Sequence, residues 1–400
     1  MSTRISTGMS FNQSVSLMLA KQSKLNHLEN QLATGSKLVS AKDDPVAAGT
    51  AVSLDRAVAA LDQLGRNAGV VQNRLGLQEN VLAEAGEMMS RITELTVQAN
   101  NPALSGPDLQ GIASELRSMK ESLLSLANTT DGTGRYLFGG TAGDTAPFSL
   151  SGGTVTYGGD QTQRQVEVAP GTFVADAIPG SEVFMRIRTG DGSVDGAAVA
   201  GNTGTGVLTN AGRHAGSSWN GESFTVVFTD AQTYDIVDAS NTVVASGTYT
   251  AGEDIVHAGI RLTLEGKPAA GDSFSAGPAA TRDIFATVDS LIGALELDVS
   301  TPQGRAAQQN LLQAGTRDIA RAAETMIDAR AAGGAQLTAL DNADALREAN
   351  AVSLKTTLSG MRDLDYADAI SQYKLETSAL QAAQTIFAQM QTMSLFNMIR

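Results

Sequence analysis

The apolar residues of this chain recur at helical spacing near both ends and at strand spacing in the middle. Over residues 370–400, Tyr373, Leu380 and Phe387 repeat every seven positions, as do Ala379, Ile386 and Met393, while Ala383 and Met390 widen the stripe. Ile370 and Phe396 extend it at the two ends. No charged side chain stands between Thr377 and Ile399, and the polar face is Gln, Ser and Thr. A free surface helix carries charge on its wet face, so this one predicts protein on most sides. Residues 3–34 predict its counterpart. Phe11, Met18, Leu25 and Leu32 step by seven, Val15 and Leu28 take the alternate contacts, and Gly35 offers a C-cap. Two charge-poor amphipathic helices at opposite chain ends are natural partners.

Inside these ends the heptads are longer. One seam runs Leu54, Leu61, Ala68, Leu75, Leu82, Met89, and a second runs Ala57, Leu64, Val71, Gln78, Ala85, Ile92, Ala99. Together they predict one helix over about 45–100, roughly 80 Å long at 1.5 Å per residue. Asp44 before Pro45 suits its start, with Asp at the N-cap and Pro in the first turn. The neighbouring carboxylates of Asp43 and Asp44 also permit a metal reading, but a cap explains them more simply. Asn100 to Pro102 breaks the helix, and Ser105-Gly106-Pro107 opens another through Leu109, Ile112, Leu116, Met119, Leu123 and Leu126. Arg135, Tyr136, Leu137, Phe138, Gly139 and Gly140 then read as a joint that leaves the helical body.

Residues 141–282 hold 22 of the 41 glycines and 10 of the 18 aromatic residues, and here the period falls to two. Thr154–Tyr157, Arg164–Val168, the Phe224, Val226, Phe228 face and the Ile260, Leu262, Leu264 face predict strands separated by turn clusters. The Asp spacing of GDGSVDG at 190–196 resembles a calcium loop but lacks the closing Glu, and a solvated turn is the simpler reading. Helices return at about 283 with Phe285, Val288, Leu291, Ile292 and Leu295. A further seam starts after Thr301-Pro302 and runs through Leu312, Ile319, Met326, Leu337, Leu340, Leu346, Leu354, Leu358 and Met361. The acidic joint DLDYAD at 363–368 precedes the terminal helix, where acids favour the helix dipole.

The expected fold is therefore α + β and multidomain: a long coiled-coil-like helical bundle built from both chain ends, with an inserted mainly-β domain. The expected boundaries are terminal helices at 1–40 and 366–400, a helical bundle at 41–140 and 283–365, and the β insert at 141–282, divisible into 141–215 and 216–282.

Charge and composition narrow the function. The net charge of −14 leaves no basic patch for nucleic acid. The absence of cysteine excludes disulfides and thiol chemistry. His27, His214 and His257 lie far apart, no catalytic or metal spacing is visible, and no cofactor is expected. The N-terminus is too weakly apolar for a signal peptide, and no run predicts a membrane span.

Several motifs carry a resemblance: RIST at 4–7, QLATGSKLVSAKDDPVAAG at 31–49, RYLFGG at 135–140, GGAQLTALD at 333–341, and DLDYADAISQY at 363–373 leading to SLFNMIR. On these the chain resembles the flagellin superfamily of axial proteins. Pro45, where flagellin has Ala, and the SLFNMIR ending favour its hook-associated junction branch over a filament subunit. The resemblance implies a structural role, not an enzyme, in the bacterial flagellum outside the cell, reached through the flagellar type III export apparatus. It implies a homo-oligomeric ring with FlgK on the hook side, flagellin on the filament side, and a FlgN-type export chaperone at the C-terminal helix. The expected assembly interface is Phe11, Val15, Met18, Leu25, Leu28, Leu32, Ile370, Tyr373, Leu380, Ala383, Ile386, Phe387, Met390, Met393 and Phe396. In the lone chain these stripes are expected to lack sufficient partners, with ordering coupled to assembly. A filament subunit with the same ends is the alternative reading, and a glycan-binding or adhesive role for the β insert is a third.

Overall fold

The structure is a computed structural model and describes residues 7–398 apart from residue 217. Three helices come first: α1 (Thr7–Thr34), α2 (Pro45–Ala99) and α3 (Gly106–Ala127). Strands follow as β1 (Phe148–Ser151), β2 (Thr154–Tyr157), β3 (Gln165–Ala169), β4 (Thr172–Ala175), β5 (Ile187–Arg188), β6 (Val194–Ala198) and β7 (Val207–Arg213). The remaining strands are β8 (Phe224–Phe228), β9 (Thr233–Asp238), β10 (Val243–Thr248), β11 (Asp254–His257), β12 (Ile260–Glu265), β13 (Ser273–Pro278) and β14 (Thr281–Arg282). Helices α4 (Ile284–Leu295), α5 (Pro302–Arg362) and α6 (Tyr366–Met398) complete the chain.

The chain divides into two units, Met1–Arg66 with Asp344–Arg400, and Asn67–Ala343. The divisions fall inside the continuous helices α2, between Gly65 and Gly69, and α5, rather than at the joints near 40 and 365.

In the larger unit, α2 from Ala68 onward buries both seams. Ala68, Val71, Leu75, Leu82, Ala85, Met89, Ile92 and Ala99 are all buried. α3 starts as its sequence dictates, with Ser105 accepting the N-cap position and its backbone N–H donating to Asp108 Oδ2 at 2.9 Å. The expected face of α4 is buried throughout, and α5 contributes Leu312, Ile319, Met326, Leu340 and Ala343. Past Ala343 that stripe fades: Leu346 is exposed, while Leu354, Leu358 and Met361 are half-buried.

The middle of this core is aromatic. Phe184 meets Phe138 edge-on at 5.2 Å and Phe148 at 5.5 Å, and stacks on Phe285 at 6.5 Å. Side-chain amides fasten the irregular chain to the helices. Gln78, the polar residue in an apolar seam, donates to Ile178 O and accepts from Ile178 N, both at 3.2 Å. Asn128 does the same for Phe148, at 2.9 and 3.0 Å. Each clamp satisfies a backbone pair that would otherwise be buried unpaired.

The outer β body is an antiparallel five-stranded sheet, β10-β9-β8-β13-β6, facing a three-stranded sheet, β11-β12-β7. Phe224, Val226 and Phe228 of the first, and Ile260, Leu262 and Leu264 of the second, share one apolar cluster that contains no residue of the aromatic core. Strand pairing runs across the division expected at 215/216. β7 pairs with β12, and β6 with β13, so the second β unit begins near residue 190 and includes both sides of that boundary. Long-range pairing of this kind leaves no mark in local period. The first four residues of the GDGSVDG stretch, 190–193, are a turn that leads into β6, with Asp191 Oδ1 accepting from Ser193 and Val194 N at 2.8 and 2.6 Å.

Ala258 occupies a left-handed position, φ +47°, in the two-residue turn between β11 and β12, beside Gly259 at φ +84°. Asn tolerates this conformation better than Ala. Ala258→Asn is expected to stabilise the outer body by about 0.5–1 kcal/mol, read as a raised urea midpoint followed by Trp219 fluorescence.

Candidate functional site

The two outermost helices meet each other in the smaller unit. They run antiparallel: Phe11 lies 5.1 Å from Phe387 between ring centres, and Tyr373 Oη donates to Glu29 Oε1 at 3.0 Å. Between these contacts, Lys21 and Lys24 each donate to a different oxygen of Glu376 at 2.7 Å. Among the described side chains, Leu25, Leu28, Ala369 and Leu380 are the buried apolar residues of this pair.

The connections that turn the chain back are closely specified. Gly35, at φ +69°, ends α1 with its N–H on Gln31 O at 2.8 Å. It is this left-handed conformation that demands glycine; a Cβ at Gly35 would meet the end of the exposed Tyr366 side chain, which can swing aside. Lys37 N donates to Arg362 O at 2.7 Å and Leu364 N to Gly35 O at 3.0 Å, tying the end of α1 to the start of α6. Asp43 Oδ2 accepts from Val39 and Ser40 N at 3.0 and 2.7 Å. Asp44 Oδ1 accepts from Val46 and Ala47 N at 3.0 and 2.9 Å, the capping geometry that places Pro45 in the first turn. Asp365 caps α6 in the same way, through Ala367 N at 2.9 Å.

The expected interface residues separate into distinct groups. Leu25, Leu28 and Leu380 are buried within the chain; Val15, Met18, Leu32, Tyr373, Ala383 and Phe387 are half-buried. Phe11, Ile370, Ile386 and Met390 are exposed. The side chains of Met393 and Phe396 lie outside the described residues, as do residues 4–6 of the RIST motif and the side chains of the SLFNMIR ending. Thus the Tyr373, Leu380, Phe387 row gains a partner in its own chain, whereas Ile386 of the adjacent row stays exposed. The pair leaves other apolar residues uncovered: Leu17 is 60 % exposed, Leu19 66 % and Leu375 70 %. These three stand off the heptad, so seven-residue spacing does not single them out. Their signal was a large apolar residue on the outer face of a charge-poor helix.

The joint into the β region is built differently. Leu137 and Phe138 are fully buried in the aromatic core, while Arg135 and Tyr136 are half-buried. Gly180 N donates to Phe138 O at 2.9 Å, and Gly140 takes φ +65° where a Cβ would overlap Asp160. Among the described residues, no group of three or more His, Asp or Glu side chains forms a metal-binding cluster, and no helix is long and apolar enough to cross a membrane.

Glu376 sets the pH response of the pair. Hydrogen bonds from Lys21 and Lys24 hold its carboxyl below the ordinary glutamate value of 4.5. A depressed folded value means that its contribution is complete above 4.5 and is lost as pH falls through the lower folded value. Acid should therefore raise hydrogen exchange, corrected for its intrinsic pH dependence, in α1 and α6. Glu376→Gln should flatten that response; an unchanged acid response would assign it to other groups.

Comparison with known proteins follows this geometry. Residues 5–143 match the family described as bacterial flagellin N-terminal helical region. The flagellar hook-associated protein 3 of Escherichia coli K12 is 26 % identical over 396 residues, covering 99 % of both chains. The crystal structure of Xanthomonas campestris FlgL is 59 % identical, with a TM-score of 0.73, over 76 % of this chain and 99 % of that one. The flagellar hook-associated protein-3 of Legionella pneumophila is 27 % identical, with the same TM-score, over 77 % of this chain and 98 % of that one.

Proposed function

The chain belongs to the FlgL family of flagellar hook-associated proteins, and on that premise we propose how it acts at the junction of hook and filament. It is a structural subunit of the bacterial flagellum, works outside the cell after export, and performs no catalysis. The observation that carries the assembly mechanism is the α1–α6 pair, which satisfies its own seam and still presents Leu17, Leu19, Leu375, Ile386 and Met390 outward.

Neighbouring copies in a ring cover this outward surface. The chemistry suits such packing: α6 has no charged side chain after Lys374 and Glu376 until the chain end, so docking strands no ion in an apolar contact. Subunits of the hook side, FlgK, and flagellin on the filament side extend the same type of contact along the axis. Before export, a FlgN-type chaperone binds the C-terminal helix in place of α1. The long match to hook-associated relatives favours this role over that of a filament subunit.

The test is complementation. In a bacterium lacking its own junction protein, the chain should restore hook-attached filaments seen by electron microscopy, and antibody labelling should mark only the hook–filament boundary. Labelling along the whole filament, or long filaments grown from the purified chain alone, would establish the filament-subunit reading instead.

A further inference from the structure

Asn220-Gly221 is the single Asn-Gly pair in the chain, and it lies in the connection between β7 and β8. Asn220 is exposed, and its Oδ1 accepts from Glu222 N at 3.3 Å, which folds the side chain over its own C-terminal peptide. Gly221 has φ +89°, and nothing lies within 4 Å of where a Cβ would stand. Its N–H donates to no acceptor among the described residues. The amide carbon, the peptide nitrogen that can attack it and the open space needed for ring closure therefore coincide at one site.

We propose that Asn220 is a site of spontaneous conversion to aspartate and isoaspartate. Gly221 N attacks Asn220 Cγ. The N–Cγ bond forms, the Cγ–Nδ2 bond breaks, and ammonia leaves with the proton from the peptide nitrogen. Water then opens the resulting succinimide at either carbonyl. Opening at Cγ gives Asp; opening at the main-chain carbonyl gives isoaspartate, with an extra methylene in the backbone. No oxidant or reductant is consumed. Each event makes the net charge one unit more negative than −14.

The product alters a defined neighbourhood. Trp219, the single tryptophan of the chain, donates from Nε1 to Glu222 O at 3.0 Å and packs against the core of the outer β body. That hydrogen bond spans the Asn220-Gly221 peptide, so a backbone lengthened there displaces the indole. This chemistry is independent of the assembly reading.

The experiment incubates the purified full-length chain in mildly alkaline buffer and follows each asparagine by peptide mass spectrometry, with Trp219 emission recorded in parallel. Asn220 should convert first, as a mixture of Asp and isoaspartate, ahead of the helical Asn67 and Asn310, with a matching shift in emission. Gly221→Ala should slow conversion by about tenfold, because a Cβ crowds the attacking nitrogen. Asn220→Gln, which would need a larger ring, should abolish both the modification and the shift while keeping the parent's initial emission. Persistence of intact Asn220 while another asparagine converts would overturn the proposal, as would equal rates in the parent and Gly221→Ala.

Discussion

Replacing Leu17 and Leu375 together by Asp should abolish incorporation into flagella while leaving the free chain's stability within about 0.5 kcal/mol of the parent. Both leucines stand on the outer surface of the α1–α6 pair, at 60 % and 70 % exposure, so the lone chain loses little packing. Covering each leucine by a neighbour would contribute roughly 1.5–3 kcal/mol. A carboxylate in its place must instead be desolvated or keep the surface wet. Leu380→Asp with Phe387→Asp should also block assembly, but for another reason. Leu380 is buried and Phe387 lies against Phe11, so that variant separates α1 from α6 while the core of the larger unit stays folded. Complementation read by electron microscopy, with hydrogen exchange across α1 and α6, distinguishes the two. Normal flagella from the Leu17/Leu375 variant would remove the outward residues from the interface.

The largest expected loss of stability is at Phe184. Its side chain is fully buried and touches three other rings, so Phe184→Ala removes edge-on and stacked contacts and leaves a cavity. The cost should be about 3–5 kcal/mol. It should fall on one part of the molecule, because the aromatic core and the core of the outer β body have no residue in common. Far-UV circular dichroism follows mainly the helices, whereas Trp219 reports on the outer body. In urea, Phe184→Ala should lower the dichroism midpoint and leave the Trp219 midpoint in place. Equal shifts of both would show a single cooperative transition spanning the two cores.

What the sequence made legible follows from the range of the interactions concerned. Heptad spacing is local, so the burial of Leu75, Leu82, Met89 and Ile92 could be read directly, and so could the caps at Asp44 and Ser105. Single strands could also be found, because Phe224, Val226 and Phe228 alternate within one short segment. The pairing of β7 with β12 could not, since nothing within Val207–Arg213 specifies a partner some fifty positions later. Residue roles were harder again. Helical spacing identified an apolar stripe on α1 and α6 but not which residues the chain covers itself. The sequence marked Gln78 only as a polar intruder in a seam, and its purpose became visible once Ile178 was seen against it.

The crossing strands β5 and β14 have a consequence for how such proteins diversify. Ile187 pairs with Arg282 and Arg188 with Thr281, so the chain leaves for the outer body and returns from it side by side. The body is seated on α5 through polar contacts: Asn310 holds Gly206 O and Leu208 N at 2.9 and 2.8 Å, Arg317 reaches Gly196 O at 2.8 Å, and Asp318 accepts from Gly190 N at 3.0 Å and Arg282 Nη1 at 2.9 Å. A structure attached by two adjacent strands and a handful of polar bonds works as an interchangeable cassette. A foreign domain with closely spaced termini spliced between Arg188 and Thr281 should therefore be displayed on the cell's exterior, provided that Asn310, Arg317 and the buried Asp318 of α5 are given new partners.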